Sequence, residues 1–282
     1  MLSYRHHFHA GNHADVLKHV VLTHLLQALH KKEGAFRYLD THAGPGLYDL
    51  SHEWAQKNRE FENGVGRVWG RSDAPEGLAL WLEAVRAENP DGELRVYPGS
   101  PRIARRFLRP QYRMLLTELH PAEGDPLEQL FAHDRQVLIQ RRDGWEALRG
   151  HLPPPPNLRR GVVLVDPAFD RANELSRLAR ALKKAHRQWA TGVYALWYPL
   201  MDSASMTAFN DEVRSTGIKK ILQLELEVIA EADATALRGS GLLVVNPPWR
   251  LDEEAAPLLE WLAEALAQGR GNRGTVRWLV PE

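Results

Sequence analysis

The chain has 282 residues, 44% of them hydrophobic and 26% charged, with 36 basic side chains balancing 36 acidic ones. A net charge of zero speaks against a uniformly basic nucleic-acid binder, and the lack of cysteine excludes disulfides and thiolate metal centres. No apolar run approaches the ~20 residues a membrane-spanning helix needs, and the first nine residues lack the apolar stretch of a secretory leader, so a cytoplasmic protein is expected.

Residues 1–32 carry Arg5, Lys18, Lys31 and Lys32 against Asp15 alone, with histidines at 6, 7, 9, 13, 19, 24 and 30. The histidine spacing matches no metal-binding pattern with a supporting carboxylate, so no metal is expected. A helix over 14–31, capped by Asn12 or Asp15, follows a segment that reads as a lid over a ligand. The first strand, Phe36–Asp40, runs into Thr41-His-Ala-Gly44-Pro-Gly46.

Further strands are expected at 114–118, 137–141, 161–166, 191–198, 220–229 and 241–246, separated by helices near 101–108, 125–132, 173–189 and 205–216, with a last helix over 253–268. This alternation predicts an α/β fold, a mostly parallel seven-stranded sheet covered on both faces. Asp40 and Glu118, the first two strand ends, are 78 positions apart, whereas the second acid of a βαβ unit is expected ~20 residues on. The excess predicts a small helical inserted subdomain over 51–97, between a first unit at 1–50 and the remainder at 98–282. Residues 95–113 hold six arginines and no acid. Either basic run alone reads as a solvated face; two flanking one site point to a phosphate-binding rim.

The chemistry concentrates at strand ends, where ligands bind in open α/β sheets. Gly44 and Gly46 allow close backbone approach, Glu118 is placed to grip ribose hydroxyls, and Asp143-Gly144 to meet an adenine amino group. Asp166-Pro167-Ala168-Phe169 ends the run Gly161–Val165. A carboxylate, a proline carbonyl and an aromatic ring can hold a flat amino-bearing base and present its exocyclic nitrogen. With the earlier glycine loop, this order predicts an S-adenosylmethionine-dependent amino-methyltransferase. Asn246-Pro-Pro-Trp249 is a competing motif, set aside because its strand is expected to run antiparallel and present its end on the opposite edge.

The chain resembles the ribosomal RNA large-subunit methyltransferase J family along essentially its whole length. The resemblance is carried by Tyr4-Arg-His6-His-Phe8-His-Ala-Gly-Asn-His-Ala-Asp-Val-Leu-Lys18-His19, Tyr38-Leu-Asp-Thr-His42-Ala-Gly, Tyr97-Pro-Gly-Ser100-Pro and Asp166-Pro167. It implies a Rossmann-like class I methyltransferase that methylates N6 of one adenine in 23S rRNA. His19, His42, Ser100, Glu118, Asp143, Gly144 and Asp166 would contact S-adenosylmethionine, with Asp166 catalytic. Tyr4, His6 and Lys18 would close over the substrate side, where Pro167 and Phe169 hold the base. The family pattern Asp-Pro-Pro-Tyr is altered here to Asp-Pro-Ala168-Phe169, which keeps the proline carbonyl and the stacking ring but loses a phenolic donor. The expected acceptor is free or early-assembly RNA and the expected state a monomer. A methyltransferase acting on DNA or another amino acceptor, and a non-catalytic RNA-binding relict, are the rival readings.

Overall fold

In the computed structural model, residues 5–170, 173–234 and 237–282 are described. Helix α1 (His13–His30) leads into β1 (Phe36–Asp40), and the chain then makes a short ribbon of β2 (Leu47–Asp49) against β3 (Val96–Pro98). Between the ribbon strands lie α2 (Glu53–Asn58), α3 (Val65–Trp69) and α4 (Ala79–Ala87). Helix α5 (Ser100–Arg105) precedes β4 (Arg113–Thr117), and α6 (Pro121–Leu130) precedes β5 (Val137–Gln140). There follow α7 (Gly144–Gly150), β6 (Arg160–Val165), α8 (Glu174–Gln188), β7 (Val193–Pro199) and α9 (Ser203–Ser215). The chain ends with β8 (Ile221–Glu227), β9 (Gly239–Val245), α10 (Leu251–Ala265) and β10 (Arg273–Val280).

The main sheet has eight strands in the order β10-β8-β9-β7-β6-β1-β4-β5. Strands β5, β4, β1, β6 and β7 are mutually parallel, while β9 runs antiparallel to both β7 and β8. The expected count of seven is corrected to eight by β10, which adds antiparallel to the outer edge of β8. Its sequence, Arg273-Gly-Thr-Val-Arg-Trp-Leu-Val280, mixes charged and apolar positions because an edge strand is only half covered. Arg273 and Arg277 along that edge also discourage pairing with another chain. The ribbon escaped the sequence reading because three-residue strands carry too short a pattern to register.

Alternation within each strand divides the core in two. Tyr38, Met114, Val162, Ala195 and Val244 face one side, with α1, α4 and α10. Leu39, Leu115, Val163, Leu196 and Leu243 face the other, with α7, α8 and α9. Val65, Val68, Trp81 and Val85 of the segment between the ribbon strands join the first cluster, so that segment packs on the same core as the sheet. Helix α1 lies beneath it and is buried from His13 to Thr23 and again at Leu25 and Leu26. A helix covered on nearly every side is a fixed wall, not a moving flap.

Strand order places the site. From β1 the chain goes outward to β4 and β5, then returns to β6 on the other side of β1. The carboxyl ends of β1 and β6 therefore flank the switch point, the crevice where such sheets bind ligands. Asn246, at the end of antiparallel β9, lies at the other edge and donates to the carbonyls of Ala190 and Gly192 ahead of β7. The Asn246-Pro-Pro-Trp249 motif is thus remote from the crevice, as its strand direction foretold.

Candidate active site

A cavity of about 1040 Å³ opens over these strand ends. The residues expected to form the site come together around it: His6, Lys18, His19, His42, Ser100, Glu118, Asp143, Gly144, Asp166, Pro167 and Phe169 all line its wall. Tyr4 lies outside the described residues.

The glycine loop and the second acid are one device. Gly44 (φ +60°) donates its backbone N–H to Glu118 Oε2 at 2.9 Å, and His120 N–H donates to Oε1 at 2.7 Å. Burial raises the Glu118 carboxyl above its usual range despite these bonds. Each oxygen keeps a lone pair for a ligand hydroxyl. Asp143 Oδ1 accepts from the N–H groups of Trp145 and Glu146 and caps α7. Gly144 is required by crowding: a Cβ there would sit 2.0 Å from the Thr41 carbonyl oxygen and 2.9 Å from the His42 ring. Burial pushes His42 down to about 4 and His19 to about 3, so both imidazoles are neutral near pH 7. His19 Nδ1 meets the Tyr97 hydroxyl at 2.8 Å, while its Nε2 is buried without a partner.

Asp40 differs from the other strand-end acids. It is fully buried, accepts from the Tyr38 and Ser100 hydroxyls at 2.7 Å each, and does not line the cavity. The strand-end acids on the cavity are therefore Glu118, Asp143 and Asp166, with Asp40 bracing Ser100 from below.

On the other side of the crevice, Lys18 carries the charge arrangement. Its Nζ lies 2.6 Å from Asp166 Oδ2 and 2.8 Å from Asp15 Oδ1, with the Lys18 side chain 5% exposed. Burial opposes the ammonium charge, but Asp15 and Asp166 override it and raise the Lys18 pKa. Burial likewise opposes the Asp15 carboxylate, yet the charges of His6 and Lys18 hold it well below the usual carboxylate range. Asp15 also takes His6 Nε2 at 2.9 Å and the Gly11 N–H at 2.9 Å. Lys18 thus does not close over the site from outside; a buried helix fixes it against Asp166.

Asn12 caps α1 through its side-chain oxygen, leaving Asp15 free for this cluster. Asn12 Nδ2 donates to Glu60, His9 pairs with the same carboxylate, and the Val65 N–H donates to the Gly11 carbonyl. The N-terminal turn is thereby tied to the segment between the ribbon strands. Phe169 adopts φ +52°, a left-handed backbone that a bulky side chain rarely takes. Its ring meets Trp197 edge-on at 5.6 Å on the cavity wall. Strain of this kind, worth ~1–3 kcal/mol, persists where the surroundings hold a functional loop in place.

Asp15, Arg177 and Trp197 were missed in the sequence. Asp15 could have been found: it is the one acid of α1, three positions before its one lysine and flanked by apolar residues, which implies a pair. Arg177 stacks over Trp145 at 4.6 Å and lies 4.0 Å from Asp143, but nothing in the pattern of α8 marks it. The arginine run over 95–113 is corrected. Arg95 pairs with Asp91 and Glu93, Arg102 with Glu88 and Arg105 with Asp134, and none of the six arginines lines the cavity. Acids just outside the run thus pair with three of its six arginines. Among the described residues, no cluster of histidines and carboxylates could hold a metal ion.

Residues 33–280 match the family model described as "Ribosomal RNA large subunit methyltransferase D, RlmJ". Two relatives named ribosomal RNA large subunit methyltransferase J, from Escherichia coli and Haemophilus influenzae, are each 41% identical to the chain, with all of both chains covered. A crystal structure of a Legionella pneumophila protein superposes with a TM-score of 0.88 at 32% identity, covering 96% of this chain and 98% of that one. The strand order, the strand-end site and these full-length matches converge: the chain belongs to the RlmJ family of ribosomal RNA large-subunit methyltransferases.

Proposed function

We propose that this protein transfers the methyl group of S-adenosylmethionine to N6 of one adenine in 23S rRNA. One observation carries the reading: Asp166 stands at the end of β6 with Oδ2 clamped by buried Lys18, in the same cavity as Glu118 and Asp143. The residues present fit the donor. Glu118 has oriented lone pairs for ribose hydroxyls, Asp143 a free oxygen for an adenine amino group, and His19 an unpartnered buried nitrogen. Three carboxylates on one wall also suit a cationic sulfonium. When bound, S-adenosylmethionine supplies an electrophilic methyl carbon.

The chain's own residues do the rest by positioning. An adenine amino nitrogen is a weak nucleophile because its lone pair is delocalised into the ring. With Oδ2 held by Lys18, Asp166 Oδ1 accepts one amino hydrogen and the Pro167 carbonyl accepts the other, which draws the lone pair out of the ring plane. Asp166 then holds the hydrogen that the nitrogen must shed. Phe169 stacks on the base, worth ~1–3 kcal/mol. A base can enter only unpaired or flipped out of its helix. The acceptor is free or early-assembly RNA, and the protein acts as a cytoplasmic monomer.

The test is methyl transfer from labelled S-adenosylmethionine to protein-free, unmodified 23S rRNA by wild type and Asp166→Ala, followed by nucleoside digestion. N6-methyladenosine from the wild type alone supports the reading. Equal labelling by Asp166→Ala, or preferential labelling of duplex DNA, overturns it. Cofactor binding without transfer to any RNA favours the relict.

A further inference from the structure

The amino ends of the parallel strands form the face opposite the crevice. Strands β6, β1 and β4 are neighbours there, so the loops that enter them lie side by side. The loop into β1 brings Lys31 and Lys32, and the loop into β4 brings Arg106 and Arg109. The loop into β6 brings Arg159, while Arg113 and Arg160 open β4 and β6 themselves. Against these seven basic residues, the three segments 31–36, 106–113 and 151–160 hold one acid, Glu33. In a chain whose net charge is zero, that is a strong local excess.

Hydrogen bonds tie the three segments into one surface. Arg160 Nη2 donates to the Leu29 carbonyl at 2.6 Å, and the Tyr112 hydroxyl donates to the Lys32 carbonyl at 3.5 Å. Arg109 Nε lies 3.2 Å from His30 Nε2, and His30 Nδ1 lies 3.2 Å from the Phe107 carbonyl. Arg113 Nη1 donates to the Tyr112 carbonyl at 2.7 Å. Carbonyls orient the guanidinium groups of Arg113 and Arg160 without cancelling their charge. Among the described residues, none of the seven lies within ion-pair distance of a carboxylate, whereas Arg102 and Arg105 just ahead of them are taken by Glu88 and Asp134. Lys31, Lys32, Arg106, Arg113 and Arg159 are exposed. Phe36 and Tyr112 are buried and Phe107 half-buried, so the patch has no ring free to stack on a base.

We propose that this face binds the phosphate backbone of a base-paired RNA segment, distinct from the segment that delivers the target adenine. Cations without a stacking platform hold phosphates and do not read bases. Paired RNA suits such a surface because it presents its backbone and shape while its base faces are hidden. Helix α1 runs from the crevice, which His13 and Lys18 line, to the patch, which His30 joins. Its 18 residues span ~27 Å, too far for the nucleotides immediately beside the target base. The basic runs over 1–32 and 95–113 therefore do meet, but behind the sheet and not around the cavity. The proposal rests on the ribosomal RNA reading and gives the enzyme a second hold on a large folded substrate.

The test compares full-length wild type with a patch variant carrying Lys31→Gln, Lys32→Gln, Arg106→Gln and Arg159→Gln. A control of equal charge loss carries Arg71→Gln, Arg95→Gln, Arg141→Gln and Arg214→Gln, whose arginines are ion-paired elsewhere on the surface. Binding to 23S rRNA, to a target-free RNA duplex of roughly 16 base pairs and to oligouridine of the same length is followed by fluorescence anisotropy across salt concentrations. In the patch variant, affinity for 23S rRNA and for the duplex falls at least ~10-fold at low salt, and the slope of log K against log salt shrinks by ~2–4. The control stays within about twofold of wild type. KM for 23S rRNA rises with the dissociation constant, while kcat and S-adenosylhomocysteine affinity are unchanged. Wild-type RNA affinity in the patch variant, or an equal loss in the control, overturns the proposal. Oligouridine binding as tight as the duplex, and lost in the same variant, overturns the assignment to paired RNA. A wild type that binds the duplex through this face yet methylates no RNA defeats the functional reading and leaves the surface standing.

Discussion

Replacing Lys18 by methionine tests the charge arrangement most directly. The substitution keeps most of the apolar stem and removes an ammonium that lies 2.8 Å from Asp15 and 2.6 Å from Asp166. Asp15 is 1% exposed and Asp166 15%, so two carboxylates in poor contact with water lose their shared counter-charge. Breaking a buried pair from one side costs about 3–5 kcal/mol. An unfolding entropy of about 2.1 cal/mol/K per residue gives about 0.6 kcal/mol/K for a chain of 282 residues. The melting temperature should therefore fall by about 5–8 °C in scanning calorimetry. Adding Asp15→Asn to Lys18→Met should recover at least about half of that loss, because the stranded charge is removed with its partner. Methyl transfer should stay at least ~100-fold down in the double variant, since Asp166 Oδ2 remains unclamped. A Lys18→Met protein that melts with the wild type, or a double variant whose losses simply add, would refute the claim that Lys18 is the shared counter-ion.

Three further outcomes follow from the geometry. Stability should drop as pH falls from about 6.5 towards 4: burial holds His13 at about 4 and His19 at about 3, so the unfolded chain binds more protons through that window, each histidine adding a slope of about 1.4 kcal/mol per pH unit; denaturant midpoints that do not move between pH 6.5 and 4.5 would contradict it. Gly144→Ala should weaken S-adenosylhomocysteine binding by at least ~10-fold in calorimetry, because its Cβ would collide with the Thr41 carbonyl and the His42 ring. Asn246→Ala should leave methyl transfer within about twofold of wild type at the opposite sheet edge, and a loss of activity with the fold intact would reinstate the Asn-Pro-Pro-Trp motif.

The sheet was legible because its central strands are buried on both faces and read as continuous apolar runs, as in Gly161–Val165. What escaped was structure whose residues face water on one side or span too few positions. β10 belongs to the first kind, with Trp278 40% exposed beside two arginines, and the β2–β3 ribbon to the second. The long spacing between Asp40 and Glu118 revealed that something is inserted, but not that its Val65, Val68 and Trp81 would share the core beneath α1. Burial of that kind depends on which face meets which, and one sequence does not state it.

The site shows the same division between local and distant information. Strand-end residues could be placed because the end of a buried strand in an open α/β sheet has a known destination, so Glu118, Asp143 and Asp166 gather where expected. What each side chain does there depends on partners far along the chain. Asp40 is withdrawn from the cavity by Ser100, 60 residues later, and Lys18 is drawn to Asp166 across 148. Arg95, Arg102 and Arg105 looked unopposed only because their acids, such as Glu88 and Asp134, lie outside the run. Charge counted along a chain therefore misjudges a surface, whereas a charged residue in an otherwise apolar helix is informative, since it must find its partner in the fold. By that logic the pair Asp15 and Lys18, three positions apart on a helix buried nearly all round, was the strongest unread signal in the sequence.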